Sequence, residues 1–181
     1  KASTNVTVSY NYIHGIKKVG LSGFSSSDTG RDLTYHHNIY DDVNARLPLQ
    51  RGGKVHAYNN LYTGITSSGL NVRQNGIALI ERNWFENAKN PVTSRYDGSN
   101  FGTWELRNNN VMSPADFAKY NITWDKDSKP YVNAEDWKST GTFASVPYSY
   151  SPVSAQCVKD KLANYAGVNK NLAVLTAANC N

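Results

Sequence analysis

Over the first 112 residues, apolar positions fall in short alternating runs, with no helical run between them. Five segments share one shape, a short strand followed by Asn and two apolar residues. They read Val6-Thr-Val-Ser-Tyr-Asn11-Tyr-Ile13, Leu33-Thr-Tyr-His-His-Asn38-Ile-Tyr40 and Val55-His-Ala-Tyr-Asn-Asn60-Leu-Tyr62. Ala78-Leu-Ile-Glu-Arg-Asn83-Trp-Phe85 and Trp104-Glu-Leu-Arg-Asn-Asn-Asn110-Val-Met112 complete the set. The Asn recurs after 27, 22, 23 and 27 residues, the period of a stacked solenoid. In the last segment Asn109 fits the strand before it as well as Asn110 fits the apolar pair after it, so two registers stay open there.

A second landmark sits in each unit, a glycine closing another short run: Gly23, Gly52-Gly53, Gly76 and Gly98. Two or three short strands per unit predict an all-β parallel β-helix over residues 1–112. A coil turns sharply between strands, and Asn tolerates the left-handed conformation better than most residues. Coils stack about 4.8 Å apart, so identical amides can bond to one another as a ladder. Behind that ladder, Tyr12, Ile39, Leu61 and Trp84 should form one stack, and Ile13, Tyr40, Tyr62 and Phe85 another.

From residue 113 the pattern stops. Ser, Thr, Pro, Tyr and Asp dominate to residue 153, which predicts an irregular arm covering the side or end of the solenoid in the same domain. One short helix is expected between Ser154, a plausible N-cap, and Gly167, a stop. Cys157 and Cys180 lie close to the C-terminus. A disulfide between them would stabilise by about 3 kcal/mol through the chain entropy it removes, and two free buried thiols are the alternative.

The segment Asn44-Ala-Arg46-Leu-Pro48-Leu-Gln-Arg51-Gly-Gly53 carries the chemistry. A plain strand would send Arg46 and Arg51 to opposite faces. Pro48 and a turn at Asn44-Ala45 leave room for both to reach one surface, where two fixed cations suit a polymer with a carboxylate on each unit. The net charge of +5 agrees with an acidic partner. Without a Lys/Arg block, nucleic acid is not expected, and without a run of transmembrane length, neither is a membrane. His36 and His37 are adjacent strand residues and should point oppositely, one inward and one outward. Asp41-Asp42 is the one adjacent acidic pair in this region and reads as a solvated turn.

The runs Val6-Thr-Val-Ser-Tyr-Asn-Tyr-Ile-His14, Tyr35-His-His-Asn38, Asn44 to Gly53 and Asn90-Pro-Val-Thr-Ser-Arg95 resemble extracellular bacterial pectate lyases over essentially the whole chain, terminal cysteine pair included. The resemblance implies a right-handed parallel β-helix and a secreted enzyme that cleaves polygalacturonate by calcium-dependent β-elimination. It implies Arg46 as the base taking the C5 proton, with Lys18, Arg51, Arg73 and Tyr96 on substrate. The chain matches the C-terminal half of the family domain, so coils preceding Lys1 are expected, as are the calcium ligands, which no motif here supplies. An arginine base is chemically demanding, since guanidinium normally stays protonated, although like charges crowding it penalise that form. A polygalacturonate-binding module without catalysis is the alternative. Hydrolysis needs paired carboxylates and fits the cationic segment less well.

Overall fold

The computed structural model describes residues 3–23, 25, 27, 31–94, 100–124 and 137–180. Three sheets run through it, each built from one strand per coil. The first holds β1 (Val6–Ser9), β4 (Asp32–His36), β7 (Lys54–Tyr58), β10 (Ile77–Glu81) and β13 (Thr103–Arg107). In the second are β2 (Tyr12–His14), β5 (Ile39–Val43), β8 (Leu61–Ile65), β11 (Trp84–Lys89) and β14 (Ile122–Thr123). The third has β3 (Leu21–Ser22), β6 (Leu49–Arg51), β9 (Leu70–Arg73) and β12 (Val92–Thr93). Strand pairings within these sheets are parallel, and the fold is the expected right-handed parallel β-helix.

The amide ladder forms, and it settles the open register in favour of Asn109. Asn11, Asn38, Asn60 and Asn83 each donate Nδ2–H to the Oδ1 of the next Asn at 3.0–3.2 Å, ending on Asn109. That same oxygen also accepts the backbone N–H of the Asn one coil earlier. The second Nδ2 proton goes to a carbonyl, as from Asn83 to Ala57 at 2.9 Å. Asn38, Asn60 and Asn83 are fully buried, so each amide satisfies groups that water cannot reach. Asn110 has a separate task, bonding the backbone of Phe85 from both ends of its amide.

One expectation is corrected here. The left-handed residue is the one before each ladder Asn: Tyr10, His37, Asn59, Arg82 and Asn108 have φ between 50° and 57°. That residue ends the first-sheet strand and swings the chain toward the second sheet, whereas the ladder Asn itself is free to bond along the stack.

Both apolar stacks are present, except that Tyr12 lies exposed at the end of the outer one instead of joining its buried cluster. Tyr40, Tyr62 and Phe85 lie inside, with ring centroids 5.0 and 4.8 Å apart and nearly parallel planes. Trp137 meets Phe85 edge-on, and Phe117, Tyr120 and Trp124 gather beside it, closing this end of the core. The edge strand β13 is protected too: the Thr140 and Ser139 hydroxyls accept the N–H groups of Trp104 and Leu106. Ile39, Leu61 and Trp84 form the outer stack, covered by α2 (Ala155–Lys161). Ser154 caps that helix by accepting the Cys157 N–H at 3.1 Å, and Cys157 is disulfide-bonded to Cys180. A second short helix, α1 (Phe117–Tyr120), is an addition to the expected one.

The histidine pair also departs from expectation. Because His37 is left-handed, its ring turns back toward its neighbour, and the two Nδ1 atoms bond at 2.8 Å. His37 stacks on Tyr10 and His36 on Tyr58. Burial, reinforced by the His56 charge, depresses the pKa of His36 to about 4; burial and His36 take His37 to about 3.

Two stability predictions follow from this packing. Asn83→Ala should cost about 3 kcal/mol or more in urea unfolding, since it orphans several buried groups, whereas Asn11→Ala at the exposed end should cost well under half of that. Both folded histidine pKa values lie below the unfolded value of 6.5, so the unfolded chain binds more protons in acid. Their contribution is complete above pH 6.5 and lost as pH falls through about 4 and then 3. Urea midpoints should therefore decline through that window, and less steeply in His37→Gln.

Candidate functional site

The third sheet sets the geometry of the cationic residues. In β9, Leu70 and Val72 point into the core, so Asn71 and Arg73 take the opposite face, where both are nonetheless buried. In β6, Gln50 is buried and Arg51 shares the outer face. Arg51 and Arg73 are register partners on adjacent coils, which places two guanidiniums side by side along the stack. Each is anchored by a neutral acceptor: Arg51 Nη1 donates to the Gly23 carbonyl at 2.8 Å, and Arg73 Nε to Asn71 Oδ1 at 3.2 Å.

Arg46 and Lys18 sit at the turn leading into this sheet. Lys18 pairs with Ala45 in a parallel bridge, so it lies one coil away from Arg46 and one residue out of register with it. Arg46 is half-buried with φ of 70°, and its carbonyl accepts the Gly20 N–H at 2.9 Å. The local turn differs from the expected one. It falls at Leu47-Pro48, joined by a cis peptide, rather than at Asn44-Ala45. The left-handed Arg46 breaks strand alternation just before β6. Tyr96 lies outside the described residues.

Gly52 and Gly53 turn the chain out of β6 with φ of 63° and 65°. A Cβ on Gly53 would come within 2.1 Å of the Arg31 carbonyl, which itself accepts the Lys54 N–H. Gln50 Nε2 steadies the same turn by donating to the Gly52 carbonyl at 2.7 Å. Sequence reasoning missed Gln50, Asn71 and the Gly23 carbonyl; counting two residues back from Arg73 would have found Asn71.

The described acidic residues near the arginines are dispersed. Asp41 and Asp42 lie within β5 rather than at a turn, and Asp41 accepts the Tyr12 hydroxyl at 2.8 Å. Among the described residues no three of His, Cys, Asp and Glu come together.

These register relations set a cationic segment, Arg51 beside Arg73 with Lys18 and Arg46 at the preceding turn, on a parallel β-helix. The profile of the pectate lyase family matches residues 1–171. Pectate lyase 3 of Pectobacterium carotovorum is 98% identical over 181 residues, covering 100% of this chain and 48% of that protein. Pectate lyase B of Dickeya chrysanthemi is 78% identical over 181 residues, 99% of this chain and 48% of its own length. In structure, pectate lyase C of Erwinia chrysanthemi, determined at pH 9.5 with 30 mM Ca2+, superposes with a TM-score of 0.97 at 76% identity, over 99% of this chain and 51% of the other. An arginine-to-lysine mutant of pectate lyase C in complex with pentagalacturonic acid gives 0.93 at 75% identity, over 96% and 50%. The chain belongs to the pectate lyase family, and it spans about half the length of these relatives.

Gly53→Ala tests the turn behind Arg51. A left-handed φ and a backbone clash should together destabilise by about 2 kcal/mol or more, read as a lowered urea midpoint with an unchanged slope.

Proposed function

We propose that this chain carries the arginine-bearing part of a secreted lyase that cleaves α-1,4-polygalacturonate by β-elimination. The observation that supports it most is the in-register pair Arg51–Arg73 beside the Lys18–Arg46 turn. Fixed cations one rung apart match a polymer bearing a carboxylate on each sugar. The C5 proton is α to that carboxylate, so its removal builds negative charge there, and adjacent guanidiniums stabilise that charge. Arg46, in its neutral form, takes the C5 proton; the C5–H electron pair becomes the C4–C5 double bond; and the C4–O bond breaks, its oxygen taking a proton from solvent. Arg51, Arg73 and Lys18 hold uronate carboxylates, and Tyr96 completes the substrate contacts. Calcium, present with the related pectate lyase C, would be held by residues outside these 181.

The lack of an acidic cluster among the described residues favours a second reading for the chain by itself, in which it binds polygalacturonate without cleaving it. Ultraviolet absorbance of the product separates the two, because elimination creates a conjugated double bond and binding creates none. The chain alone should give no absorbance change. Reconstituted with the segment that its longer relatives carry, it should give one that a chelator abolishes. In that assembly Arg46→Lys should lower the rate by about 100-fold or more. Substantial activity in Arg46→Ala would remove Arg46 from the role of base.

A further inference from the structure

The first sheet carries a feature that the arginine strip does not use. Between its outer face and arm residues 143–148 lies a cavity of about 560 Å³, within the range of roughly 300–1,000 Å³ typical of ligand sites. Its floor is a polar column set by strand register, Thr7 beside Thr34 beside His56, with Asp32 beside Lys54 in the adjacent column. Phe143 and Tyr148 supply aromatic walls from the arm.

Tyr148 is held rigidly. Its hydroxyl bonds Thr34 Oγ1 at 2.7 Å and His56 Nδ1 at 2.7 Å, and His56 Nε2 bonds Glu81 Oε1 at 2.7 Å. Tyr150 donates to the same carboxylate oxygen at 2.5 Å. Burial pushes the Glu81 carboxyl up, but these hydrogen bonds outweigh it and hold it below the usual range, so it serves as a charged anchor. The arm is pinned again where Phe143 N–H meets Glu105 Oε2 at 2.7 Å. A chain of bonds reaching from a buried carboxylate thus ends on a tyrosine that is still 38% exposed. An aromatic face fixed before any ligand arrives loses little conformational entropy on binding.

We propose that this cavity binds a neutral oligosaccharide, a pyranose stacking on the Tyr148 ring while Thr7, Asp32 and Lys54 bond its hydroxyls. The charge balance selects for neutrality. Asp32 and Lys54 are register partners of opposite charge and offset one another. Hydroxyl and amide groups in mixed donor and acceptor roles, beside an apolar ring, are the complement of a sugar with one apolar face and a polar rim.

The test is a titration of the 15N-labelled chain with galactotetraose, using tetragalacturonate as the anionic comparison. Galactotetraose should perturb amides around Thr7, Thr34, Lys54 and Tyr148, and leave Arg51 and Arg73 unmoved. Tyr148→Ala should weaken binding by about tenfold, and Thr7→Val, at an exposed position, by a few-fold. No perturbation up to about 10 mM ligand, perturbations centred on Arg51 and Arg73, or displacement by equimolar tetragalacturonate would each overturn the proposal. So would undiminished affinity in Thr7→Val together with a folded Tyr148→Ala.

Discussion

Register along the stack is the constraint on which everything else in this molecule depends. A parallel β-helix made of strands two to six residues long has little cooperativity within any one strand. Its order comes from each coil copying the position of the one beneath. The Asn11–Asn109 ladder enforces that copying, because an amide donates to its counterpart while accepting a backbone N–H from the neighbouring coil. A slip of one residue would break this double bonding, turn the Tyr40–Tyr62–Phe85 stack out of the core, and bring outer side chains in. Polar and apolar columns therefore hold one another in place, the amides providing direction and the rings providing burial.

Fixed register turns sequence offsets into surface columns. Counting four back from each ladder Asn reaches Thr7, Thr34, His56, Leu79 and Glu105, and these are neighbours in the first sheet. On the third sheet the same logic aligns Arg51 with Arg73. The two faces are thus free to differ, one cationic and one balanced, while the interior remains uniform. The arm exploits this arrangement: it seals the end of the core with Trp137, protects β13 with hydroxyls, and then runs along the first sheet to α2.

The coils were legible because every feature of them repeats. Five recurrences of an Asn with two apolar followers define strand order, stacks and the inward face without any distant contact. What could not be read was whatever happens once. Tyr148 and Tyr150 show no local periodicity, so nothing in residues 143–153 points to His56 and Glu81, nearly a hundred residues away in one case. The left-handed residue before each ladder Asn was hidden by its varied identity, Tyr, His, Asn, Arg and Asn, where only two of the five are natural left-handed formers. His36 and His37 misled for the same reason, since strand alternation fails at a left-handed residue.

The arginine pair shows how the fold sustains a local liability. Two guanidiniums one rung apart repel by roughly 1–3 kcal/mol for effective dielectrics between those of water and a protein surface. Like charges directly opposite in a sheet are otherwise disfavoured. The backbone withstands this because the rungs are held elsewhere, by amides and rings, and because Gly23 and Asn71 anchor the side chains through neutral oxygens. Arg51 is held by the neutral Gly23 carbonyl, which fixes its side chain without cancelling its charge, so an anionic polymer bound as proposed would gain where like charges meet.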